Sequence, residues 1–161
     1  MKIDKDFIAQ LFKQAEANPR RRQNCDLRTS PADTSQRMLN ALLPDTVVPI
    51  HQHDDTTETV ICLVGKLDEI IYRQDIIDGK PVYTEAERIT LCPADGHHGC
   101  QIPQGAWHTV EVHEPSVIFE AKDGAYKRVC QNDAPFFVIN KAPTFTSQGF
   151  VMSKRFCTFR H

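Results

Sequence analysis

Several features that would assign this chain to a special class are missing from its 161 residues. Its 21 acidic and 19 basic side chains nearly balance, and a formal charge of -2 gives no general case for binding nucleic acid or anionic membranes. The longest apolar run is far too short to span a bilayer. The first residues, Met1–Asp6, mix charges and contain no signal-peptide core. We therefore expect a cytoplasmic protein that binds neither nucleic acid nor membranes.

Closely spaced cysteines are missing as well. No Cys-x-x-Cys occurs, so a structural zinc site made of thiolates alone is not expected. Without a secretion signal, reduced thiols are the expected state. Cys62 lies in an apolar run and Cys100 lies on a second predicted strand, and we predict structural roles for both. The six cysteines are Cys25, Cys62, Cys92, Cys100, Cys130 and Cys157.

What is present indicates one globular domain, because 40% of the residues are hydrophobic and the length suits a single core. Apolar residues recur at helical spacing near the N-terminus, Asp4 can cap this helix, and Asn18-Pro19 ends the pattern. We therefore predict a helix within residues 1–19. The run Arg20–Arg22 after it fits a solvated charge run better than a phosphate site.

Short strands and turns follow the helix. Residues 24–35 appear irregular, and residues 36–43 fit both a helix and a strand, although the strand-like chain beyond them favours a strand. Asp78-Gly79 is a hairpin signal, and Gly65-Lys66 and Glu114-Pro115 are predicted to separate strands. This rhythm is typical of an all-β barrel or sandwich. We predict an antiparallel barrel over residues 36–130, with residues 131–161 covering one edge.

The candidate functional residues begin with His51 and His53, which are two positions apart and would leave the same face of a strand. A short polar loop leads to Glu58, which opens a run rich in strand formers, and His108 can come from another strand. Imidazoles and a carboxylate are ligands that divalent first-row metals accept. We therefore predict one divalent ion per chain, which would be zinc, iron, manganese or nickel. The alternative is a metal-free pocket lined by these histidines.

Two motifs in this region resemble those of the cupin superfamily. His51-x-His53, four residues, Glu58, six residues and Gly65 look like the first cupin motif, and Pro103-x-Gly105-x-x-His108 resembles the second. The resemblance implies a small antiparallel cupin β-barrel of the jelly-roll type, with the N-terminal helix outside it.

A closer likeness is to the WbuC family of cupin-fold metalloproteins, which is associated with bacterial surface-polysaccharide gene clusters. It implies a metal site without naming a reaction. The stretches that carry it are the N-terminal helix, Gln36–Ala41, the segment with His51 and His53, Ile102–His108 and Glu120–Tyr126.

Several other polar and aromatic residues could have either a functional or a structural role. Arg37 and Tyr126 could hold an anionic or hydroxylated ligand, or form a strand-end ion pair and a packed phenol. His97-His98 could contact the metal or substrate, but a polar loop fits better. His113 is expected to be solvated, and Trp107 to pack outside the barrel or at a subunit contact.

Two functions remain open at this point. The first is a metal-dependent enzyme, of isomerase, epimerase or dioxygenase type, acting on a small polar molecule such as a sugar or nucleotide-sugar. The second is a non-catalytic, metal-dependent sensor or binding module for a small ligand. No distinct general base stands out near the motifs, so no catalytic residue is assigned. A homodimer is the assembly expected if the chain associates.

Overall fold

A computed structural model describes residues 1–126 and 137–139. These residues form one helix and seven strands, and a short 3-10 turn at Pro93–Asp95. The all-β class with one N-terminal helix is therefore confirmed. The elements are α1 (Lys5–Ala17), β1 (Arg22–Asp26), β2 (Ser35–Leu42), β3 (Glu58–Ile77), β4 (Lys80–Leu91), β5 (Gly99–Ile102), β6 (Trp107–Asp123) and β7 (Phe137–Ile139).

Helix α1 begins and ends where the sequence predicts. Asp4 caps it, because the Phe7 backbone N–H donates to Asp4 Oδ1 at 3.1 Å. The backbone N–H of Asn18 donates to Ala15 O and ends the last turn. Leu11 and Ala15 are buried against the outer face of β2 and β6. The helix therefore packs outside the sheet, on Leu39, Ala41 and Val117.

The strands follow the order β1-β2-β6-β3-β4-β7, and β5 pairs with the first part of β3. All pairings are antiparallel except the one between β4 and β7, where Val82–Thr84 runs parallel to Phe137–Ile139. Within the described part of the chain this path is open, with β1 and β7 at its ends. The predicted cover of residues 131–161 otherwise lies outside the described residues.

Three local predictions differ from the structure. Asn24–Asp26, predicted to be irregular, belongs to β1 and pairs with β2. Gly65-Lys66 and Glu114-Pro115 do not end strands, since β3 and β6 run through them with shifts in register near Val64 and Lys66. The strand assignment of residues 36–42 and the hairpin at Asp78-Gly79 are confirmed.

Gly65 makes the bend of β3 possible. Its φ of +93° is disfavoured for residues with a side chain. A Cβ at this position would also overlap the carbonyl oxygen of Pro115 and the hydroxyl of Ser116. Both strands curl here, so the inner residues before and after the bend join one core. That core consists of Leu42, Val60, Cys62, Leu67, Leu91, Ile102, Val112 and Ile118.

A second cluster lies on the opposite face of β3. It contains Ile70, Tyr72 and Tyr83, with Trp107 half-buried against them. The rings of Trp107 and Tyr83 meet edge to face with centroids 5.0 Å apart. Trp107 therefore packs on the face opposite to His108, its neighbour in β6.

The part of the chain that the structure describes contains no helix of the length and apolarity needed to span a bilayer.

Changing Gly65 to alanine should destabilise the protein more than changing Gly79, which has a φ of +74° in the hairpin turn but open space around it. We expect a loss of about 3 kcal/mol in the free energy of unfolding for Gly65→Ala, from strain plus overlap. Gly79→Ala should cost about 1 kcal/mol. Urea denaturation measures both, and equal losses would show that the close contact with β6 does not matter.

Candidate metal centre

Four residues from two separate stretches of the sequence meet in one partly buried cluster. His51, His53, Glu58 and His108 each offer one ligand atom, and these atoms all lie within 4.8 Å of one another. His51 and His108 face each other across a two-residue bridge, where their backbone N–H groups donate to each other's carbonyl oxygens at 3.0 and 2.8 Å. His53 is held through its carbonyl oxygen, which accepts from the backbone N–H of Gly105 at 2.8 Å.

Backbone carbonyl groups set the direction of two imidazoles. His51 Nδ1 lies 3.0 Å from Pro49 O, and His108 Nδ1 lies 2.9 Å from Ala106 O. A carbonyl oxygen only accepts, so each Nδ1 carries the hydrogen and each Nε2 presents its lone pair to the cluster. Burial and the adjacent His108 lower the pKa of His51 to about 4, so this ring is neutral at neutral pH. Neutral imidazoles held in this way are the form that binds metals.

Glu58 lies at the centre of the cluster and is only 3% exposed. Its Oε2 lies 3.1 Å from His53 Nε2 and 3.3 Å from His108 Nε2, yet it receives no hydrogen bond. Burial opposes ionisation of this carboxyl, but the positive charge of the Lys122 ammonium, 3.1 Å from Oε1, helps to hold its pKa well below the usual range. Nitrogen lone pairs and an ionised oxygen this close repel one another unless a cation lies between them. The donor set therefore fits a divalent metal ion.

Two charged residues at the end of β6 extend the cluster, and the motifs do not contain them. Lys122 Nζ lies 3.1 Å from Glu58 Oε1, 3.2 Å from His53 Nε2 and 3.7 Å from Glu120 Oε2. Asn40 Nδ2 donates to Glu120 Oε1 at 2.9 Å. The sequence does contain a signal for this pair. Glu120 and Lys122 are charged residues two positions apart in an otherwise apolar stretch of β6, so both side chains leave the same face of the sheet.

The inner carboxyl groups beyond Glu58 hold protons more tightly than usual. Burial, followed by the charge of Glu58, raises the pKa of Glu120 to about 7, although Lys122 opposes this. Glu69 is 1% exposed, and its Oε2 has no hydrogen-bond partner. Burial and the negative charges of Glu120 and Glu58 raise its pKa well above the usual range.

Arg37 and Tyr126, the predicted ligand-binding residues, do not join the cluster. Arg37 lies on the opposite face of β2, where its Nη2 pairs with Asp33 Oδ2 at 3.0 Å. Tyr126 is 58% exposed, and the Arg28 guanidinium lies 5.5 Å from the centre of its ring. Their role in binding stays a prediction. Arg37 does line a surface groove at the ends of β2, β3 and β6, together with Lys122.

The remaining histidines lie apart from the cluster. His113 is not simply solvated, because its Nε2 lies 2.9 Å from Asp68 Oδ2, on the face of β6 opposite to His108. His97 and His98 are exposed in the turn before β5, where their backbones pair with Cys92 and Cys62.

The cysteines of the described residues are free and lie outside the ligand set. Cys62 is a buried core residue, as predicted. Burial raises the pKa of Cys62 to about 11 and, with the charge of Glu69, that of Cys100 to about 12. Both thiols therefore keep their protons at neutral pH, which disfavours metal binding.

Comparison with known proteins finds one family and a set of remote structures. Residues 3–78 match the family described as Domain of unknown function (DUF6016), which covers His51, His53 and Glu58 but ends before His108. No curated protein matches the chain.

The similar solved structures include cupin-domain proteins. KdgF from Halomonas sp. is 14% identical, over 68% of this chain and 84% of that one, with a TM-score of 0.49. A cupin-2 domain protein from Shewanella frigidimarina is 22% identical, over 63% and 79%, with a TM-score of 0.44. Oxalate decarboxylase OxdC of Bacillus subtilis is 18% identical, over 66% and 26%, with a TM-score of 0.47. These likenesses are too distant to transfer an activity or a ligand.

Replacing a ligand histidine should remove the metal. We expect about one divalent ion per chain in protein purified without added metal, and much less in His53→Ala and His108→Ala, because each variant loses one nitrogen ligand. Elemental analysis measures this content. His113→Ala is the matched control and should keep the ion, since His113 lies on the other face of β6. Equal metal in all the variants would show that these residues are not the ligands.

Replacing the nearby thiols should leave the metal in place. Cys62→Ala and Cys100→Ala should each keep the metal content of the parent, at a cost of about 1 kcal/mol for a small side chain. Elemental analysis and thermal unfolding of the same samples separate the two effects. Loss of metal from either variant would add that thiol to the ligand set.

Because Glu69 is buried, we expect Glu69→Gln to raise the free energy of unfolding by an amount that depends on pH. The raised pKa means that the folded state binds more protons than the unfolded state above the usual value of 4.5, so this residue lowers stability as pH rises. Glu120, Glu58 and Lys122 are the charged groups around it. As pH rises from 5 to 8, the parent should therefore lose stability relative to Glu69→Gln, and the free energy of unfolding of the variant should exceed that of the parent by a growing amount.

Denaturant unfolding across this pH range measures the difference. Glu114→Gln is the control, since Glu114 is exposed on β6 and should give a flat difference. A flat difference for Glu69→Gln would mean that the Glu69 carboxyl is ionised at no cost in the folded protein.

Proposed function

We propose that this protein is a metal-dependent enzyme of the cupin type, acting on a small polar molecule. The supporting observation is the convergence of imidazole nitrogens on Glu58, whose buried Oε2 receives no hydrogen bond. His51, His53, Glu58 and His108 would hold one ion per chain. Zinc, iron, manganese and nickel all accept these ligands, so the donor set does not choose among them.

Four protein ligands leave one or two coordination positions for a small molecule on a five- or six-coordinate ion. When bound, the ion would supply Lewis-acid polarisation or water activation, or redox chemistry if it is iron. Ile102, which pairs with Glu58, and Val60, two positions along β3 from it, are buried apolar neighbours of the site. Backbone carbonyl groups keep the rings of His51 and His108 in position.

Protonatable groups next to the ligands favour an enzyme over a binding module. Lys122 contacts two of the ligand residues, and Glu120 lies 3.7 Å from Lys122. A catalyst needs groups that can hold or move a proton near its substrate, whereas a sensor needs only complementary contacts. No one side chain is assigned as the catalytic residue.

The substrate class rests on the likeness to the WbuC family. That likeness favours a sugar or nucleotide-sugar of surface-polysaccharide biosynthesis. Hydrogen-bonding groups on the inner face, among them Asn40, Glu120 and Lys122, suit a molecule rich in hydroxyl groups. Arg37 and Tyr126 are proposed to contact the part of such a ligand that lies farther from the ion.

Activity should depend on which ion is loaded. Apo protein reconstituted separately with iron, manganese, nickel and zinc should convert a sugar phosphate or nucleotide-sugar with one or two of these ions only, because the ion provides most of the chemistry. Product analysis by mass spectrometry measures turnover, and His53→Ala treated identically is the control. If every metal form bound a ligand stoichiometrically and none converted it, the sensor function would replace the enzyme.

A further inference from the structure

Lys122 is a buried cation at the edge of the proposed metal centre. It lies near the end of β6, directly opposite Glu58 of β3 and Gln36 of β2 in the sheet register. Its side chain is only 8% exposed. Burying an ammonium group is costly unless it is paired, so Lys122 needs hydrogen-bond acceptors or negative charges beside it.

Three acceptors surround the ammonium group of Lys122, two at hydrogen-bond distance and one at ion-pair distance. Glu58 Oε1 lies at 3.1 Å, His53 Nε2 at 3.2 Å and Glu120 Oε2 at 3.7 Å. An ammonium group donates three hydrogen bonds and accepts none. Two of its partners are carboxylate oxygens, and the third is the ring nitrogen of a proposed metal ligand.

The contact with His53 cannot persist when that ring binds an ion. Nε2 has one lone pair in the plane of the ring, and it can either accept from Lys122 or coordinate a metal. Glu58 Oε1 and Glu120 would still hold the ammonium group in place. One charged N–H would therefore be left without its acceptor, directly beside the ion.

Lys122 also lines a surface groove, although none of the four proposed ligand residues does. Its volume is about 360 Å³, and it runs along the ends of β2, β3 and β6. Lys122 lines the groove with Gln36, Thr57 and Arg37. Arg37 is paired with Asp33, and Lys122 is the groove cation that contacts the proposed metal ligands, so the preference for an anion depends on Lys122.

We propose that Lys122 is a ligand-contacting residue, whose N–H released by the metal donates to a negatively charged oxygen of the molecule bound at the ion. This inference rests on the proposed metal centre and narrows its ligand class. The favoured ligand carries a carboxylate next to a second oxygen, as in a hydroxy acid or a sugar acid. Charge-assisted hydrogen bonds of this kind are shorter and stronger than neutral ones.

The test uses metal-loaded protein and glycolate, the smallest hydroxy acid, with binding measured by calorimetry. Lys122→Met should keep about one ion per chain, with metal affinity equal to or higher than that of the parent, because a competing cation is removed. Its affinity for glycolate should fall by about 10- to 100-fold, as expected for loss of one charged hydrogen bond. Lys122→Arg keeps the charge and should recover part of that affinity.

Two controls keep the outcomes separate. Lys13→Met, on the exposed side of α1, should bind glycolate like the parent. Lys122→Gln provides a second neutral variant, with a polar side chain, if methionine disturbs folding. Glycolate binding within twofold of the parent in a metal-loaded Lys122→Met or Lys122→Gln would overturn the inference, and so would a parent that binds the ion but no glycolate. A parent that holds no metal would instead refute the proposed function.

Discussion

The contact between Glu58 and His108 depends on the curling of two long strands. His108 pairs with Ile71 in the sheet, and Ile71 is 13 positions beyond Glu58 in the same strand, β3. A straight strand would separate those positions by about 43 Å. Glu58 Oε2 nevertheless lies 3.3 Å from His108 Nε2. The strand therefore bends back across the core, and β6 bends with it because the two strands pair over most of their length.

The bend of β3 also sets the surroundings of the candidate metal centre. Gly65 allows β3 to approach β6 at Pro115 and Ser116, closer than any residue with a side chain would permit. The inner face of the curled sheet then surrounds Glu58 and Glu69 with apolar neighbours. Such an interior makes charged groups costly, which explains the raised pKa of Glu69 and the close pairing of Lys122. Groups kept in this costly state are typical of functional sites.

Local patterns predicted much of this structure. Helix α1 follows from its apolar spacing and the cap at Asp4, which involve only neighbouring residues. The hairpin at Asp78-Gly79 needs two residues with positive φ, which asparagine, aspartate and glycine tolerate best. The prediction that strands end at Gly65 and Pro115 was wrong. Turn-forming residues inside a long strand pairing produce bulges and bends and do not end the strands.

Residue type and short spacing were enough to predict the helix, the β class and the four residues that meet at the candidate metal centre. Which other polar groups lie beside them depends on pairing between strands that are distant in the chain. The alternation of Glu120 and Lys122 places both on one face of β6, but only the pairing of β6 with β3 sets Lys122 opposite Glu58. Arg37 was predicted either to hold a ligand or to form an ion pair, and its register in β2 places it on the face opposite to the cluster, paired with Asp33. A side chain's face depends on a register of pairing with distant strands, and a shift of one residue reverses it.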